Sequence, residues 1–112
     1  MDKVMNEAID SLFDAIAEDF ARWKAIGEHG KPGDSADMFN RLSVKEGRKY
    51  LKIIKTDGQV MVWGFIQKED DAKFRAGDIL MAAGWASPAR NRARGNILDG
   101  GYQIRWTGPE YL

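Results

Sequence analysis

The sequence predicts an α+β domain: a long N-terminal amphipathic helix packed on an antiparallel sheet of about four strands, with one or two short helices before the last strand. Three observations carry this expectation. Apolar residues recur at helical spacing from Met5 to Ile26, and an Asp-Gly pair at 57–58 joins two β-like runs. The chain of 112 residues is long enough for one modest core. A single domain is therefore expected over 1–112, divided into the helix at 1–26, a loop at 27–37 and a β-rich region at 38–112.

The helix comes first. Met5, Ile9, Leu12, Ile16, Phe20 and Trp23 step by three or four and share one face, widened by Phe13 and Ile26. The opposite face carries Glu7, Asp10, Asp14 and Glu18. Gly27 can end the helix. The segment Gly27 to Asp37 is rich in breakers and reads as a loop.

Strands follow. Met38 to Val44 reads as the first, and Lys49 to Thr56 as the second, with Leu51 and Ile53 on one face and Tyr50, Lys52 and Ile54 on the other. Gln59 to Gln67 is apolar on both faces, which places it centrally. Gly64 beside Trp63 marks a bulge or a close backbone approach. Lys68 to Lys73 is a polar loop. Residues 78–84 fit a short helix or a buried strand equally well. Ser87, with Pro88 after it, predicts a helix start, and Gly95 its end. Gly100-Gly101 is a turn, and Tyr102 to Thr107 reads as the last strand.

Composition narrows the function classes. There is no cysteine, so thiol catalysis, disulfides and Cys-ligated zinc are excluded. No signal peptide or membrane span is legible, and a cytoplasmic location is expected. The net charge of zero hides an asymmetry: residues 1–40 sum to −5 and residues 41–112 to +5. His29 with Asp34 and Asp37 makes a poor metal set, because solvated loop residues explain it better. Glu69, Asp70 and Asp71 lack the spacing of a calcium loop. Ser11, Ser35, Ser43 and Ser87 have no base in sequence, and the pair Asp10 and Asp14 reads as a solvated face. No catalytic residue, metal or cofactor is expected, and the chain reads as non-enzymatic.

The segment from Gly84 to Asn96 carries the densest chemistry. Trp85, Arg90, Asn91, Arg92, Arg94 and Asn96 suit an anionic partner: arginines for phosphates, asparagines for bases or phosphates, and Trp85 with Trp63 or Trp106 for stacking. The competing reading is a solvated basic surface whose arginines pair with the acidic face of the first helix.

Tyr50-Leu51-Lys52-Ile53, Val62-Trp63-Gly64-Phe65, Lys73 to Leu80, Ala89 to Ile97 and Arg105-Trp106-Thr107-Gly108 together resemble a family of small, mostly uncharacterised proteins of tailed bacteriophages. The resemblance covers roughly the C-terminal half. It implies expression inside a bacterial host and brings no activity, cofactor or catalytic residue with it. The expected function is that of a non-enzymatic phage accessory protein in the host cytoplasm, binding a host or phage protein and modulating it during infection. The alternative is a nucleic-acid-binding module using the Arg90–Arg94 basic helix. A third class, an enzyme or small-ligand sequestering protein, has weaker support. A homodimer built on the first helix is a further possibility, and no membrane partner is expected.

Overall fold

A computed structural model describes residues 2–26 and 35–109. Helix α1 spans Lys3–Ile26. Its start is capped by Asp2, whose Oδ1 accepts the amide of Met5 at 2.8 Å. The predicted stripe is buried from Met5 to Phe20. It fails at the C-terminal end, where Trp23 is 53% exposed and Ile26 is 87% exposed. There the Trp23 ring lies beside Phe20 and Trp106 and keeps more than half of its surface open.

A short helix, α2 (Ser35–Asn40), precedes strand β1 (Leu42–Glu46). The expected strand at Met38 to Val44 is therefore helical in its first part. Met38 is fully buried from that helix, against α1. Leu42 and Val44 both pack toward the α1 core.

Strands β2 (Tyr50–Asp57) and β3 (Gln59–Gln67) form the expected hairpin, with Gly58 at φ 76°. Only a residue tolerant of positive φ closes so tight a connection. Strand β4 (Ile79–Leu80) decides the ambiguous stretch in favour of a strand. Among the described residues the sheet runs β1-β2-β3-β4, antiparallel throughout, with β3 central as its two apolar faces required. Register slips at Ile53/Ile54, where Ile53 faces Gly64 and Ile54 faces Val62, leaving Trp63 as the extra residue of a bulge.

Each face of the sheet carries an apolar cluster. The inner face puts Leu51, Ile53 and Ile66 on α1, where Leu12 and Ile16 are fully buried. Each such side chain contributes about 1.5–3 kcal/mol by leaving water. The outer face carries a second, smaller cluster of Phe65, Phe74 and Leu80, flanked by Tyr50, Val62, Ala82 and Ala93.

The predicted helix at Ser87 to Arg94 does not form. That segment instead returns antiparallel along residues 78–82, with bridges at Ala82–Pro88 and Asp78–Asn96. Ala89 N donates to Met81 O, and Arg94 N donates to Ile79 O. Between these two bonds, Arg90 to Ala93 stand opposite Leu80 alone. The surplus residues loop out over the second cluster and shield it. Local capping letters lost to the burial of a remote apolar patch.

The predicted last strand is likewise shorter and lies outside the main sheet. Strands β5 (Ile104–Arg105) and β6 (Gly108–Pro109) make a separate hairpin. It is tied to α1 by Trp106 N donating to Asp19 Oδ2 at 2.8 Å, and to the bulge by Trp63 Nε1 donating to Arg105 O at 2.9 Å. Pro109 lies so close to Gly64 that a Cβ there would meet its Cγ at 3.0 Å. The close approach signalled by Gly64 is thus to this hairpin and to Leu80.

Candidate functional site

The residues singled out in sequence divide into buried scaffold and exposed surface. Trp63 is only 2% exposed and its indole N–H is spent inside the fold, so it offers no ring to a ligand. Asn96 is 6% exposed. Its Nδ2 donates to Ala76 O and Asp78 Oδ1, and its Oδ1 accepts the amides of Leu98 and Asp99. Both belong to the scaffold, where the sequence placed them at a binding surface.

Arg90 is half-buried and held on three sides. Its guanidinium lies 4.7 Å from the centre of the Phe74 ring, donates to Tyr50 Oη at 2.6 Å, and pairs with Asp71 Oδ2 at 2.7 Å. Asp71 is itself saturated. Its Oδ1 accepts the amides of Lys73 and Phe74, and its Oδ2 also accepts Gln67 Nε2. The Phe74 and Lys73 amides, then Arg90, hold its carboxyl well below the ordinary value of 3.8. The same contacts raise Arg90 above the usual arginine range, led by the hydrogen bond to Asp71. Arg90 thus pairs with the adjacent loop, and not with the acidic face of α1.

What stays exposed is Trp85, Asn91 and Arg92, with Arg94 half-buried. Trp85 sits at the tip of the turn closed by Ser87 O, which accepts the amides of Ala83 and Gly84. Ser87 serves this turn through its carbonyl and starts no helix. Trp85 is 54% exposed, and Lys52 Nζ stands 4.3 Å from the centre of its ring. Arg94 donates to Arg92 O and Asn91 Oδ1. Around Trp85 the outer face of the sheet is incompletely covered: Ile54 and Val62 are half-buried, and Val60 is exposed. Lys45 lies on the same face, directly opposite Lys52.

A second surface lies at the far end of α1. Trp23 and Trp106 meet at 4.9 Å between ring centres, and Phe20 packs edge-on to Trp106 at 5.2 Å. Lys55 Nζ donates to Trp106 O and stands 4.4 Å from its ring centre. Beside these rings is an open cleft of about 540 Å³ lined by Asp19, Arg22, Trp23, Ile26, Arg105, Trp106 and Thr107. Its lining joins the two indoles to Arg105 and to Arg22, which pairs with Asp19 at 3.5 Å.

Residues 2–107 match the model of a family described as a family of unknown function, DUF7717. The chain belongs to this family. The match takes in α1, which lay outside the resemblance seen in the sequence, and runs through the sheet to β5. No curated protein and no solved structure matches the chain.

Among the described residues no group of His, Asp or Glu is arranged to hold a metal. Asp37 is engaged with Arg41 at 2.9 Å, while His29 and Asp34 lie outside the described residues. No helix among the described residues is long and apolar enough to cross a membrane. The sequence reading missed Lys45 and Lys52 on the outer face and the Trp23–Trp106 pair. The strand parity of Lys52 was legible, but its neighbour across the turn required the register.

Proposed function

We propose that this protein is a non-enzymatic binding module that docks another protein through the Trp23–Trp106 ledge. One observation carries the reading: a large aromatic pair at the edge of the core, extended by the exposed Ile26, borders an open cleft. Tryptophan beside arginine is the composition of energetic anchors at protein interfaces. The aromatic and aliphatic lining of the cleft favours a partner segment with an apolar anchor. The setting we propose is a phage accessory protein acting in the host cytoplasm, where it binds and modulates a host or phage protein. That setting rests on the resemblance of the C-terminal half to tailed-phage proteins.

The test is capture from nuclease-treated bacterial lysate by wild-type protein and by a Trp23→Ala, Ile26→Asp variant with an unchanged far-UV spectrum. The expected result is a protein retained by the wild type and lost by the variant. Identical captures from the two would overturn the ledge as the docking surface.

A further inference from the structure

We propose a second binding site on the outer face of the sheet, built by Lys45, Lys52 and Trp85, that takes single-stranded nucleic acid. The site goes beyond the protein-docking role and shares no residue with the ledge.

The first argument is an electrostatic conflict. Lys45 on β1 stands directly opposite Lys52 on β2, on one face of an antiparallel pair. Like charges directly opposite across strands destabilise a sheet. Among the described residues, Lys45 and Lys52 have no carboxylate within 4.0 Å. Other cations of the same region are neutralised: Lys68 by Glu46, Arg75 by Asp99 and Arg90 by Asp71. The two lysines opposed across the strands, with no carboxylate beside either, leave a place for an external anion. Violations of a local rule of this kind concentrate at functional positions.

The second argument is the aromatic ring. Trp85 projects at a turn tip and is more than half exposed, with Lys52 held against it. An exposed indole flanked by lysines on an open sheet face is a stacking platform beside phosphate contacts. Stacking needs an accessible base face, which a single strand offers and a paired duplex conceals. Half-buried Ile54 and Val62 continue the apolar floor beyond the ring.

The third argument is placement. The acidic residues Glu7, Asp10, Asp14 and Glu18 lie on α1, which covers the opposite face of the sheet. The acidic face of α1 and the lysine pair thus lie on opposite sides of the sheet. A polyanion is repelled by one layer and drawn to the other, which orients it on Lys45 and Lys52.

Fluorescence anisotropy of labelled oligo(dT), titrated with the full chain at several salt concentrations, tests the site. The expected Kd is about 10⁻⁶–10⁻⁴ M at physiological salt. Two cations on phosphates predict a slope of log K against log salt of about −1.4, at about −0.7 per contact on a single strand. Trp85→Ala and Lys45→Gln/Lys52→Gln should each weaken binding by about tenfold or more, while Trp23→Ala leaves it unchanged. Lys45→Glu, at an exposed position, is the companion variant should the double substitution fail to fold. Absence of oligo(dT) binding in that range, or wild-type affinity in the Trp85 and lysine variants, would overturn the proposal. Equal affinity for duplex DNA would overturn the single-strand assignment. Binding of poly-glutamate as tight as that of oligo(dT) would assign the face to an acidic protein and overturn it too.

Discussion

Arg90 Nη2 donates to Asp71 Oδ2 at 2.7 Å, joining the loop after β3 to the segment that closes over the outer face. Around this pair the second apolar cluster is sealed, because Arg90 also lies on Phe74 and bonds Tyr50. Asp71 accepts four donors and so fixes the loop that presents Phe74.

An acid sensitivity follows from that saturation. The Asp71 carboxyl is held well below its ordinary value by the Phe74 and Lys73 amides and by Arg90. A depressed carboxyl contributes stability that is present above the unfolded value and is lost as pH falls toward the folded one. Wild-type protein should therefore lose stability below about pH 4, and Asp71→Asn should show a shallower acid limb with a lower plateau at neutral pH. Melting curves from pH 2 to 7 measure both. Parallel pH profiles for the two proteins would show that Asp71 is not the linked group.

Asn96 makes a sharper structural prediction because its contacts are buried. It ties Asp78 to the turn at Leu98 and Asp99 and bonds the carbonyl of Ala76. Asn96→Ala should cost about 1–3 kcal/mol by leaving buried groups unpaired. Urea unfolding with an unchanged m-value would report that loss. A neutral result would return Asn96 to the exposed surface expected from sequence.

The parts of the fold legible in sequence are those set by local periodicity. The stripe from Met5 to Phe20, the hairpin at Asp57-Gly58, the centrality of β3 and the close approach at Gly64 each follow from residues next to one another. The family match spans all of them. The misread parts are set at a distance. Ser87, Pro88 and Gly95 spell the ends of a helix, but Phe65, Phe74 and Leu80 need cover, and residues 90–93 provide it. Arg90 reads as a surface cation until Asp71 and Tyr50 are brought beside it. Lys45 and Lys52 become a pair only once the register across Gly47 is known. The terminal run at Tyr102 has strand letters, yet it is diverted to α1 by Asp19.

Gly95 illustrates the same point at one position. Its φ is +143°, and a Cβ would lie 2.6 Å from Tyr102 Cβ. The glycine that looked like a helix stop is where the returning strand passes against the terminal segment. Gly95→Ala should cost about 1–3 kcal/mol from backbone strain, with overpacking against Tyr102 in addition. Thermal melts of Gly95→Ala beside Gly84→Ala test this, because Gly84 has open space around it. Equal melting temperatures would remove the steric argument.

The two tryptophans nearest the terminal hairpin should separate cleanly in a stability measurement. Trp63 is 2% exposed, fills the bulge of β3 and donates its indole N–H to Arg105 O. Trp63→Ala should cost about 3–5 kcal/mol, as removal of a large core side chain does. Trp23 was legible as part of the helix stripe, yet it is 53% exposed and rests on Trp106 and Phe20. Trp23→Ala should cost only about 1–2 kcal/mol, from partial burial and two aromatic contacts. Denaturant unfolding of the two variants gives both numbers on one scale. A Trp23 loss as large as the Trp63 loss would mean that the ring closes the core, and the docking ledge would lose its principal anchor. A small Trp23 loss keeps that ring as apolar surface whose burial awaits a partner.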